Sequence, residues 1–157
     1  MVKVAIKDVE LRNIVAFKGH EEEPLFQGDI YYHNSKVGWF SEDAWGGDSH
    51  IRIKEPYYEI IEKLSKEYLQ KRYKEEFLQG LSTLFTDIVA LNEAYRFFKQ
   101  QVKKGMQIVT VVTTEAGGWL SERLVAFRNE KCLQEYLKNE DMVLVSKYTS
   151  LKDFNVR

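Results

Sequence analysis

A stripe of apolar residues at Leu81, Leu84, Phe85, Ile88, Leu91, Tyr95, Phe98 and Val102 steps by threes and fours through more than 20 positions. That spacing commits the segment to an amphipathic helix with one face in a core. Lys103 and Lys104 fall in its last turn, where the helix dipole favours positive charge, and Gly105 marks its end. An earlier and weaker stripe runs through Tyr57, Ile61, Leu64, Tyr68, Tyr73 and Phe77. Glu55-Pro56 is a favourable start for that first helix, and Gly80 suits the position just past its end.

On either side of this helical middle the period changes to two. Val2, Val4 and Ile6 alternate with polar neighbours, and the parity then slips at Lys7-Asp8 and again near Ile14. Alternation predicts a half-buried strand, and a slip predicts a bulge or break. Leu25 to His33 and Lys36 to Ser41 are β-rich runs around Asn34-Ser35, which reads as a two-residue hairpin turn. Ser49 to Ile53 can return as a further strand. After the helices, Met106 to Thr114 and Trp119 to Phe127 read as strands joined by the turn Ala116-Gly117-Gly118. Asn129 then caps a short helix carrying Cys132, Leu133 and Leu137, and Met142 to Val145 adds a strand.

The expected fold class is therefore α+β: an N-terminal antiparallel sheet of three or four strands, two central helices, and a C-terminal ββαβ unit on the second helix. The expected segments are 1–53, 54–105 and 106–157. At 157 residues with 44% hydrophobic and 13% aromatic content, the chain has enough apolar material for a packed core.

Charge narrows the function classes. The net charge is -1, with 6 basic and 9 acidic residues in 1–53 against 10 basic and 8 acidic in 54–105. That is far from the footprint of a dedicated DNA-binding protein. Lys63, Lys66, Lys71, Arg72 and Lys74 interleave with Tyr68 and Tyr73 on the first helix and offer nucleic acid one alternative surface. The glutamates scattered among them favour a salt-bridged solvent face. No apolar run approaches the roughly 20 residues of a membrane span, and no N-terminal stretch has the form of a secretion signal. A single cysteine, Cys132, fits a reducing compartment, so a cytoplasmic location is expected. Without a histidine near it in sequence, Cys132 reads as a buried structural thiol.

The unusual residues concentrate in Val37 to Ile51, VGWFSEDAWGGDSHI. Two tryptophans and a Gly-Gly pair stand beside Glu42, Asp43, Asp48 and His50, with no basic residue. One reading is a divalent-cation site for a metal-dependent hydrolase, but the spacing matches no ligand signature, and alternate strand residues point to opposite faces. The better reading is a contact surface. Aromatics beside glycines and acids have the composition of an interface patch, with Trp45 in the loop as the exposed anchor. Trp39 and Phe40 occupy opposite faces of one strand, so one of them belongs to the core. The run Gly19 to Pro24, GHEEEP, supplies a second acidic loop with Glu21, Glu22 and Glu23. In the contact reading, Trp45 fills a partner pocket while Glu21, Glu22, Glu23, Asp43 and Asp48 meet basic residues. No cofactor, bound metal or catalytic residue is expected.

The runs NIVAFKG and LFQGDIYYHNSKVGWFSEDAWGGDSHI resemble a group of small proteins of bacteriophages and other bacterial mobile elements, with a strand-loop-strand hairpin and a segment ending in Gly-Gly. The later run LFTDIVALNEAYRFFKQQVKKGMQIV and the hairpin-helix-strand of 119–145 are also similar to that group. The chain departs from it by Asn34-Ser35 where a glycine turn is common, and by an inserted helix rich in tyrosine and lysine. The resemblance implies an origin and no catalytic residues. Small phage-borne proteins of this size often inhibit a host defence enzyme, so the expected partner is a host protein such as a defence nuclease or nucleoprotein complex, in an anti-CRISPR or anti-restriction role.

Overall fold

A computed structural model describes residues 3–73, 80–114 and 122–157. The expected features at Val2, Phe77, the Ala116-Gly117-Gly118 turn and Trp119 lie outside the described residues. Within them the chain is a mixed α and β protein with three helices and nine strands. In order these are β1 (Ala5–Ile6), β2 (Val9–Lys18), β3 (Pro24–Tyr32), β4 (Ser35–Ser41), β5 (His50–Ile53), α1 (Tyr57–Tyr73), α2 (Leu81–Lys103), β6 (Ile108–Thr114), β7 (Arg123–Phe127), α3 (Glu130–Asn139), β8 (Met142–Tyr148) and β9 (Asn155–Val156). None of the described helices is long and apolar enough to cross a membrane.

Two compact units divide the chain, and the division falls inside α2. The first comprises residues 3–91 with 155–157, and the second comprises 92–154.

In the first unit six strands pair in the order β5-β4-β3-β2-β1-β9. The expected sheet of three or four strands is thus larger, because β1 and β2 separate into a hairpin and β9 adds a parallel strand beside β1. The parity slip at Lys7-Asp8 is a tight turn with both residues at positive φ, 53° and 65°. The second slip is a bulge between Arg12 and Val15, with Asn13 at φ 56°. The turn between β3 and β4 sits one residue earlier than Asn34-Ser35. His33 and Asn34 both take positive φ, 48° and 67°, and Tyr32 pairs with Ser35. Two left-handed central residues match the right-handed twist of the flanking strands, and asparagine takes positive φ at the second position more readily than serine would. One sheet face is buried through Leu11, Ile30, Val37 and Phe40, and Phe40 meets Phe85 of α2 with ring centroids 5.4 Å apart. Ile61 of α1 and Leu84, Phe85 and Ile88 of α2 complete this core.

In the second unit, strands pair in the order β7-β6-β8 with α3 connecting β7 to β8, the expected ββαβ order. Ile108, Phe127 and Leu133 form its core, with Val125, Tyr136 and Leu137 packed around them. A second cluster gathers Tyr95, Phe98 and Tyr148 around Phe154. Asn129 caps α3 as its sequence suggests, its side-chain oxygen accepting from the Cys132 N–H at 2.9 Å. Asn129→Ala is expected to lower stability by about 1 kcal/mol in urea unfolding. Cys132 itself is exposed, not buried. Leu133, Tyr136 and Leu137 define the inner face of α3, and Cys132 lies about 100° round the helix from Leu133.

Candidate functional site

The two acidic loops of the sequence, 19–24 and 42–49, are neighbours in space. The His20 N–H donates to the Ala44 carbonyl at 2.7 Å, and the His20 ring stacks on Trp45 with centroids 4.2 Å apart. Trp45 is nevertheless 75% exposed, the most open of the large apolar side chains described. One indole face rests on an imidazole and the rest meets solvent, so the ring is held in place before any contact is made.

The other side chains divide by task. Glu42 turns inward: its carboxylate accepts from the Phe26 N–H at 2.7 Å, while its own N–H donates to the Phe26 carbonyl. Burial raises its pKa, and the Phe26 N–H offsets part of that rise. Asp43 folds the loop on itself, accepting from the Gly47 N–H at 2.7 Å and facing His50 Nε2 at 3.4 Å. Those two contacts, the backbone N–H first, hold its pKa below the usual range. Gly46 takes a φ of 82°, which closes the turn that carries Gly47 back to Asp43. Glu23 plays the same part in the first loop, where it accepts from the Glu21 N–H at 2.8 Å. Glu21, Glu22, Asp48 and His50 are exposed.

Of the eight residues singled out in sequence, then, Glu23, Glu42 and Asp43 build the loops, whereas Trp45, Glu21, Glu22, Asp48 and His50 are presented to solvent. Glu42, Asp43, Asp48 and His50 do not converge: among the described residues no group of three or more His, Cys, Asp or Glu could hold a metal ion. On β4, Phe40 is core and Trp39 is 42% exposed.

The sequence reading did not single out one cluster, around Asp87 on α2. Its carboxylate accepts from the Tyr68 hydroxyl at 2.8 Å and from the Tyr73 hydroxyl at 2.8 and 2.9 Å. Burial raises the pKa of Asp87 in spite of these two donors. Burial, and then the charge of Asp87, pushes Tyr68 up as well, so that it stays a protonated donor. The signal in the sequence is a lone acid between Phe85 and Ile88 on the helix with the strongest apolar stripe. The arrangement joins α1 to α2.

Compared with known proteins, the chain matches no family model, no curated protein and no solved structure.

Proposed function

We propose that this chain is a non-catalytic binding protein whose contact surface is the joined pair of loops 19–24 and 42–50. The observation that carries this reading is Trp45: a tryptophan that is 75% exposed yet stacked on His20. Aromatic side chains give large contact area at small entropic cost and dominate binding energy when a partner pocket desolvates them. Around it, Glu21, Glu22 and Asp48 form an acidic rim that steers a basic partner surface and contributes more to association rate than to affinity. The sequence resemblance to phage and mobile-element proteins supplies the partner class: a host defence nuclease or nucleoprotein complex, met in the bacterial cytoplasm and inhibited by occlusion.

The test is a pull-down from bacterial lysate with wild-type and Trp45→Ala protein side by side. The expected result is a near-stoichiometric defence protein retained by the wild type. Trp45→Ala weakens its capture by about 2–4 kcal/mol and leaves the melting temperature unchanged. A variant that unfolds, or one that captures the same partner equally well, removes Trp45 from the interface.

A further inference from the structure

The outer face of the first sheet carries a second feature, separate from Trp45. Strand pairing sets Asp29 opposite Trp39 and Trp39 opposite Arg52, and in the next row sets Gln27 opposite Ser41 and Ser41 opposite His50. Directly opposed residues of antiparallel strands share a face, so these side chains stand together on one side of the sheet. With Asn13, most of them line a cleft of about 440 Å³, a volume that suits a small molecule.

We propose that this cleft binds the base of a purine nucleotide, with Trp39 as its stacking platform. Trp39 offers a flat, half-open indole, and stacking on aromatic rings is the commonest way proteins hold an unpaired base. Beside it the polar groups are those that match a base edge. Asp29 is an acceptor fixed in place by Asn13 Nδ2 at 2.9 Å and by Lys36 Nζ at 3.3 Å. The Asn13 hydrogen bond is the chief cause that holds its pKa below the usual carboxylate value. The carboxylate can accept from the ring N1–H and exocyclic amino group of guanine, or from the exocyclic amino group of adenine alone. Asn13 and Gln27 each offer an amide that both donates and accepts. Asn13 stands in the Arg12/Val15 bulge at φ 56°, the kind of irregularity that re-aims a side chain toward a site. Arg52 is exposed beside Trp39 and His50 is exposed at the end of the next row. Arg52 can meet a phosphate, which a neutral sugar ligand would not require.

The base can come from a free nucleotide or from a single strand, and one experiment separates the two. Trp39 indole N–H signals are followed by NMR while GMP, AMP and a short single-stranded oligonucleotide are titrated into wild-type, Asp29→Asn and Trp45→Ala protein, and binding by Trp39→Ala is read by calorimetry. The expected result is a saturable shift in the wild type and an affinity weakened at least about tenfold in Trp39→Ala by isothermal titration calorimetry. Asp29→Asn weakens it also, and Trp45→Ala leaves it unchanged. Equal affinity for mononucleotide and strand identifies the free nucleotide as ligand. A tighter, salt-sensitive affinity for the strand identifies single-stranded nucleic acid. No saturable shift at millimolar nucleotide, or undiminished binding by Trp39→Ala, overturns the proposal. Because Trp45 and Trp39 are varied separately, failure of the base site leaves the protein-binding reading to its own test.

Discussion

Gly38→Ala is expected to detach β5 from the edge of the first sheet and to lower stability by about 2–3 kcal/mol. Gly38 pairs with Ile53, and a Cβ at that position would fall on the backbone carbonyl of Arg52 and against the Ile53 Cα. Backbone cannot rotate aside as a flexible side chain would, so the strands must separate. β5 has four residues and pairs only with β4 among the described strands, which makes it the side that gives. Urea unfolding reads the loss of stability, and hydrogen exchange at the Arg52 and Lys54 amides, which face β4, shows where it falls. Fast exchange confined to β5 is the expected signature. Because His50 begins β5, the same variant should also loosen the Asp43 turn around Gly47.

Asp87→Ala is the second large effect, about 2–3 kcal/mol, since it leaves the Tyr68 and Tyr73 hydroxyls without their acceptor. Tyr68 is 8% exposed, so water cannot readily take the place of the carboxylate. Asp87→Asn keeps an acceptor oxygen and is expected to cost less than half as much. The pH dependence separates the two roles of the carboxylate. Its folded pKa is raised above 3.8, so the folded protein binds the proton more tightly than the unfolded chain. The stabilising contribution of this group accordingly grows as pH falls through the raised folded value toward 3.8, the reverse of Asp29, Asp43 and Glu130, whose pKa values are lowered. Arg72, which stacks over the Tyr73 ring at 5.1 Å, works against the rise at Asp87 and is part of the same balance. In Asp87→Asn the acid-side gain disappears, which denaturant titrations at several pH values would measure.

Local signals in the sequence foretold local structure, and failed where a partner distant in the chain decides the outcome. The stripe from Leu81 fixed α2 to its last turn, because eight apolar positions at one spacing leave no competing period. Even there Val102 is 48% exposed, since an amphipathic pattern continues past the point where a core is available to cover it. His33-Asn34 was displaced by one residue because Asn-Ser carries the commoner turn composition, while a histidine at φ 48° carries no compositional signal. Cys132 was placed inside because α3 is amphipathic and cysteine is usually buried, yet the buried face is set by Leu133 and its neighbours.

At the candidate site, composition pointed to Trp45 and the acids but could not assign their tasks. Glu42 and Asp48 look alike in sequence; only the position of the Phe26 N–H makes one of them a brace. Nor could the sequence join loop 19–24 to loop 42–49, because the His20–Trp45 stack and the His20–Ala44 hydrogen bond close a gap of more than 20 residues. The Trp39 face was equally hidden, since it depends on the register of β3, β4 and β5 together.

The two residues of β9 impose an order on synthesis. Asn155 and Val156 pair in parallel with Ala5 and Ile6, so the first unit takes its final strand from a point that follows the whole second unit. A nascent chain can assemble β1 to β5, α1 and the first part of α2 early, but the outer edge of β1 stays open until Val156 has cleared the ribosome. The second unit is in effect an insertion that can fold while that edge waits, and translation of its 63 residues sets how long an unpaired strand is available to other chains.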